Sequence, residues 1–445
     1  MRKIPRSIDA MLGALARRGT IILIIMLLGG FALRIGAIFA VGDIEDPEMW
    51  EHGKIARNLL EHDRFTMHWP YPSLSEERLA EQSQPPPYDG AFIPPLNPYI
   101  IYIFFEAFGD NPTAYLWLMV FNAFLGALAI LPAYYIALLL AGRRSAVIAA
   151  ILMALFMPAI YGVVTFSGSQ LYHLLALCVI FFAISYIIRR RMWDILLLGL
   201  FCGLLTLARS EFMILSVVLI AASVVGSCLR FNCDMRIIRM VAALAIFAAV
   251  VGPWVYRNTQ LFGKIVPVVS HPWHEIWRGS NPYATGGTTS RLGTKVWESR
   301  EYSPELLPKL DSIPYNQHFE IAADSVFKEA AIDYIESHPA EALWKAVKRA
   351  VFLWTVDVYT PRARHPVYVF FVLITVIPAA FAFWKLYRRE RIYQNPAMIY
   401  LLFAAYYTAL IFAVNLETRY QVYMLTVIVP MAAVGWERLL MKKSK

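Results

Sequence analysis

Five carboxylates, Asp43, Glu45, Asp46, Glu48 and Glu51, fall within nine residues directly after a long apolar run. Carboxylates so placed can take a proton from an acceptor group or bind a cation. They also admit a structural role: Asp46 can cap a helix opened by Pro47, and Glu48 can favour its positive end. Arg209 and Glu211 lie in Leu207–Ala208–Arg209–Ser210–Glu211, between two other apolar runs. There they either pair with each other or leave a guanidinium for an anionic ligand. Aromatic rings stand beside basic side chains in Pro253–Trp254–Val255–Tyr256–Arg257–Asn258 and in Trp277–Arg278–Gly279–Ser280–Asn281–Pro282. Glu417, Arg419 and Tyr420 repeat the mixture. Such mixtures anchor a chain at a membrane interface. They also suit a phosphorylated lipid or a sugar, through guanidinium–phosphate pairing and ring stacking.

Other chemistries find less support. The nine histidines contain no HExxH pattern, and His271 and His274 are separated by Pro272–Trp273. No metal ligands are assigned among them; a divalent metal ion is the one candidate cofactor, and the sequence does not decide metal dependence. No glycine-rich phosphate loop appears, which argues against an ATP-driven pump and against use of a cytosolic nucleotide sugar.

The elements that must position these residues are membrane spans. Of 445 residues, 58% are hydrophobic and 16% charged, where a soluble chain would carry about 25% charged residues. The apolar residues gather in runs long enough to cross a bilayer core. Ten are expected, at about 20–41, 113–141, 145–161, 171–188, 195–208, 212–229, 237–256, 366–385, 397–414 and 422–438. Basic residues then fix the orientation. Counting Arg2, Lys3, Arg6, Arg17 and Arg18 with the alternate short loops and the C-terminus, 21 of 41 basic residues fall on one face, with only five of 32 acidic ones. Both ends are therefore expected in the cytoplasm. The net charge of +9 is a topology signal, and no nucleic-acid partner is implied. Arg34, nearly alone within a span, is expected to snorkel to the outer surface.

The organisation is a transmembrane core at 1–256 with an outer loop at 42–112, an extracytoplasmic segment at 257–365, and C-terminal spans at 366–445. In the loop, Met49, Gly53, Ala56 and Leu60 make one helical stripe, and a second short surface helix is expected up to about Gly109. In the segment, Phe327, Ala330, Ala331, Tyr334 and Ile335 make another stripe. A further amphipathic helix runs from Glu341 to Trp354, with Lys345, Lys348 and Arg349 on its polar side. Of the four cysteines none lies in a large outer loop, so no disulfide framework is expected there.

Several stretches together resemble the GT-C glycosyltransferases, specifically the bacterial branch similar to protein O-mannosyltransferases and the aminoarabinose transferase of lipid A. They are Glu51–Leu60, Ala91–Tyr99, Leu205–Glu211, Pro253–Asn258, Trp277–Gly286, Asp324–Pro339 and Arg419–Tyr420, in the expected order. The resemblance implies an all-α polytopic fold with outward-facing juxtamembrane helices. It implies a polyprenyl-phosphate sugar donor, a membrane lipid, taken from the outer leaflet, and an acceptor protein, lipid or glycan. Localisation would be the inner membrane, with the active site on the periplasmic side. It also implies a catalytic carboxylate in the first outer loop; Ile55–Ala56–Arg57 counts back to Glu48, a two-residue shift gives Asp46, and Glu51 stands behind them. Arg57, Arg209, Arg257 and Arg419 are the candidates for the donor phosphate, and Tyr99, Trp277, Asn281 and Tyr420 for the rest of the substrate. The chain departs from relatives at Ile93, where the lipid A enzyme has Lys, and at Gln170, Tyr172 and His173, where many carry a Glu. A glycosyl phosphate has a good leaving group, so one base suffices and a single displacement inverts the sugar carbon. The rival readings are a transporter or flippase of a lipid-linked saccharide, which calls for charges inside several spans, and a glycan polymerase or ligase.

Overall fold

A computed structural model describes residues 17–67, 88–231, 236–293, 303, 305–389 and 395–441. The basic residues Arg2, Lys3, Arg6, Arg391, Lys442, Lys443 and Lys445 used for orientation lie outside the described residues. Helices make up the architecture: α1 (Gly19–Val41), α2 (Trp50–His62), α3 (Leu96–Phe108), α4 (Pro112–Leu128), α5 (Ile130–Ala141), α6 (Arg143–Ala154), α7 (Met157–Tyr161), α8 (Ser169–Arg189), α9 (Met192–Ala208), α10 (Phe212–Arg230), α11 (Arg236–Phe262), α12 (Pro272–Gly279), α13 (Leu306–Asp311), α14 (Phe319–Ser337), α15 (Pro339–Trp354), α16 (Pro366–Arg389), α17 (Met398–Ala413) and α18 (Thr418–Met441).

This is an integral, multi-pass membrane protein. Among the described residues, seven helical segments are long and apolar enough to cross a bilayer, with α4 and α5 counting as one; α6 and α7 add an eighth as a pair bent by 44°. Helices α9 and α17, with 17 and 16 residues, are apolar but shorter. All ten expected runs are helical, but ten full spans is slightly more than the lengths show. In α8 and α18, 72% of the most apolar window is buried, against 28% in α1 and 22% in α11. The former pair is therefore the centre of the bundle and the latter its lipid-facing rim.

One contact shows how the centre is built. Pro378 cannot donate to the carbonyl four residues earlier, and Trp436 Nε1 donates to that freed Ile374 oxygen at 2.9 Å. Gly435 makes the approach feasible, since a Cβ there would sit 1.9 Å from the Pro378 oxygen.

Three expectations change. Arg34 does not snorkel: it is fully buried, and donates to the carbonyls of Gly30 at 2.9 Å and Met153 at 3.4 Å. Its side chain turns back along its own helix, where those carbonyls and its packed neighbours replace water. Asp46 does not cap α2, which starts only at Trp50; Asp43 instead accepts from the backbone N–H of Glu45 and Asp46 in a local turn. Lys345 and Arg349 do not face solvent. Arg349 donates to the carbonyls of Gly279, Ile411 (3.1 Å) and Phe412 (2.8 Å), satisfying the ends of α12 and α17. Lys345 reaches the Asn281 carbonyl at 2.8 Å and the Tyr334 hydroxyl at 2.6 Å. A polar stripe in sequence thus marks a polar interior here rather than a wet face.

Candidate functional site

A cavity of about 1090 Å³ opens where α2, α12, the α9–α10 turn and the start of α18 meet. It sits on the side assigned outward by the basic residues. Each wall has a local reason. Helix α12 begins at Pro272, which fits the first turn because its missing N–H is an orphan there anyway. Asp324 of α14 accepts from the next two backbone donors, Trp273 (2.9 Å) and His274 (3.0 Å), and so caps α12 from a neighbouring helix. Burial pushes the Asp324 carboxyl up to about 6, against those two N–H groups and the charges of Lys264 and Lys328. Glu320, one turn earlier, accepts from Ala91 N–H (2.8 Å) and Ser270 Oγ (2.6 Å), locking the Ala91–Pro94 stretch to the segment before α12. Burial raises its carboxyl, and Ser270 and Ala91 oppose that.

The wall is strongly charged. Glu417 accepts from Arg278, which also holds Glu275 at 2.7 Å, and pairs with Arg419 at 2.5 Å. Burial works against ionisation of Glu417, but Arg419 and Arg278 outweigh it and hold its carboxyl below the ordinary range. Arg209 pairs with Glu211 at 2.5 Å, and its guanidinium lies 4.8 Å from the Tyr420 ring and 5.0 Å from that of Tyr423. The Arg419 guanidinium lies 4.9 Å from Trp50 and 5.4 Å from Tyr420. Tyr420 therefore has a cation near it from each of two elements. His52 lines the same space; burial, with Arg419 and Arg209 nearby, pushes its ring down to about 3, so it is neutral at physiological pH. Five lining carboxylates, Glu48, Glu51, Glu211, Glu275 and Glu417, face four lining cations, Lys54, Arg209, Arg278 and Arg419. The lining also has apolar side chains, Met213, Ile214, Leu410, Ile411 and Val414, and Ile214 is 63% exposed at the molecular surface.

Of the residues singled out in the sequence, Glu48, Glu51, Arg209, Arg419 and Tyr420 line this cavity. Asp46 is exposed and lies off its wall. Arg57 pairs with Asp110 at 2.5 Å. Arg257 holds the Gly90 carbonyl at 2.6 Å and Asp89 at 3.3 Å. Tyr99 packs near Phe65, with ring centroids 5.6 Å apart. Trp277 is buried among Leu306, Leu310 and Phe327, and buried Asn281 accepts from Tyr283 and Ala284 N–H in the turn after α12.

The sequence reading named His271 and His274 without assigning them a metal, and passed over Glu275. His271, His274 and Glu275 bring their ligand atoms within 4.8 Å of one another on the cavity wall, a group able to hold a metal ion. Burial pushes His271 down to about 4, so its ring is neutral and able to coordinate. The spacing i, i+3, i+4 was the signal available, because it falls on one helix face.

No protein-family model matches the sequence, and no curated protein matches it either. Solved structures do match in fold. The oligosaccharyltransferase of Archaeoglobus fulgidus in complex with Zn and sulfate aligns with a TM-score of 0.55 at 15% identity, covering 95% of this chain and 49% of its own. The same enzyme with an inhibitory peptide and a dolichol-phosphate aligns at 0.52 and 14% identity, over 95% and 50%. The chain thus spans about half the length of that relative and shares the fold of the part it aligns with. ArnT from Cupriavidus metallidurans bound to undecaprenyl phosphate aligns over 93% of this chain and 77% of its own at 13% identity, but its TM-score of 0.39 is too low to argue from.

Proposed function

We propose that the protein is a membrane glycosyltransferase that moves a sugar from a polyprenyl-phosphate carrier to an extracytoplasmic acceptor. The observation that carries this reading is the cavity's mixed lining on a fold shared with an oligosaccharyltransferase. Arginines and aromatic rings line it together with apolar side chains of α10 and α17, and a lipid phosphate bearing a sugar needs both. Arg209 and Arg419 would hold the phosphate, and Tyr420 the ring of the sugar. A carboxylate, Glu48 with Glu51 behind it, would take the acceptor proton as the new sugar–oxygen bond forms and the sugar–phosphate bond breaks. The electron pair leaves with the polyprenyl phosphate, whose charge the arginines balance. The site would face the periplasmic side of the inner membrane.

The test compares cells with and without the gene, by mass spectrometry of lipid-linked sugars and envelope glycans. Deletion is expected to accumulate one polyprenyl-phosphate sugar and to remove one glycan modification. Unchanged pools of both would overturn the reading.

A further inference from the structure

We propose that His271, His274 and Glu275 form a binding site for one divalent transition-metal ion of the zinc class, in the cavity wall. Two nitrogens and one carboxylate oxygen are the donor set such ions take with three protein ligands, leaving a coordination position open. The open position would face the cavity, because all three residues line it. A tetrahedral zinc site sets donor atoms ~3.3 Å apart, and the three ligand atoms lie within 4.8 Å of one another, so small side-chain rotations close the shell.

The surroundings hold the ligands as a metal site requires. The His271 ring is 92% buried by its 8% exposure, stacks on Phe92 at 3.9 Å and 8°, and its Nδ1 has no hydrogen-bond partner. A buried ring nitrogen left without a partner is costly, and a metal ion would satisfy it. Glu275 is oriented by Arg278, itself fixed by Glu417, the outer-shell arrangement that aims ligating carboxylates. Asp324 pins the start of the helix that carries His274 and Glu275. The excess of carboxylates over cations on the wall also favours a bound cation. Nothing here depends on which group the protein transfers.

The test is metal content of the purified full chain in detergent, after equilibration with zinc and desalting. The parent is expected to retain about one zinc per chain and to gain thermal stability from it. His271→Ala with His274→Ala, and separately Glu275→Gln, are expected to lower retention at least about fivefold while metal-free melting stays near the parent's. A Glu48→Gln, Glu51→Gln variant should retain the ion. Loss of zinc from that carboxylate variant, or full retention by the histidine variant, would move the ion elsewhere and overturn the site. So would a parent that neither retains zinc nor gains stability. A zinc-loaded protein from cells whose glycans are unchanged on deletion would instead refute the proposed function and leave the metal site standing.

Discussion

Buried charges in the cavity wall and buried charges on α14 and α15, the helices packed behind α12 and α17 (the roof), are neutralised in different ways. In the wall, Arg209, Arg278 and Arg419 pair with Glu211, Glu275 and Glu417, and Arg209 and Arg419 also lie over aromatic rings. In the roof, Arg349 and Asp324 bond to backbone groups, and Glu320 to one backbone N–H and the Ser270 hydroxyl. A guanidinium carries five N–H donors, so a wall arginine can keep its carboxylate and still donate to an anionic ligand. A side chain that terminates helices has no such alternative, since the carbonyls it serves would be orphaned. Wall charges should therefore govern turnover and ligand affinity, and roof charges should govern stability.

The largest effect tests the wall. Glu48→Gln together with Glu51→Gln is expected to cut transfer at least ~100-fold while the melting temperature holds. Asp46→Asn, off the wall, should stay close to parental. A double amide variant that turns over donor at the parental rate would place the base elsewhere. Next come the arginines: Arg419→Ala and Arg209→Ala are each expected to weaken donor binding roughly 10-fold or more, since a charge-assisted contact is worth about 1.5–3 kcal/mol. Arg257, tied to Gly90 and Asp89, separates the two classes most sharply. Its alanine variant should melt earlier yet bind donor like the parent, and a large loss of donor affinity at unchanged stability would return it to the phosphate site.

In the roof, Arg349→Ala is expected to cost about 3 kcal/mol or more, because three carbonyls lose their donor at once. Arg349→Lys should recover little of this, since a single ammonium cannot reproduce the fork. Equal melting of all three proteins would show that the roof does not depend on this contact.

How much of this was legible follows the same division. Spans and their order could be read because hydropathy over some twenty residues reports the bilayer core directly. Arg209, Glu211, Arg419 and Tyr420 were visible because they interrupt apolar runs at the ends of spans. The roles of Lys345 and Arg349 were not, because an amphipathic pattern separates polar from apolar faces and cannot say whether the polar one meets water or carbonyls. Asp46 looked like a cap because the pattern fits, but Asp43 takes the local N–H groups first. The grouping of His271, His274 and Glu275 was hidden for a different reason. Their side chains share a face only because Pro272 starts a helix there and Asp324, 50 residues away, caps it.

That cap supplies the smallest effect and the finest test of the roof. Burial raises the Asp324 carboxyl from 3.8 to about 6, so the fold prefers it protonated. A group raised in the folded state gives its stabilisation fully below its unfolded value, and loses it as pH climbs through the folded one. Asp324 should therefore contribute less to stability as pH rises from about 4 to about 6, and the loss should level off above that. Glu417, held low by two arginines, should act in the opposite sense, with its contribution lost as the solution becomes more acidic. Other carboxylates titrate in the same window, Glu320 among them, so the parent's melting curve alone cannot isolate one group. The difference between the parent and Asp324→Asn can. The amide keeps an oxygen for Trp273 and His274 but carries no proton to lose. The melting temperature of the parent minus that of the variant is expected to fall between pH 4 and pH 6 and stay level from there to pH 8. A difference that is flat throughout would mean the carboxylate is as well accommodated as the acid. The rule that roof charges are held by backbone dipoles against their own burial would then fail at the Asp324 cap.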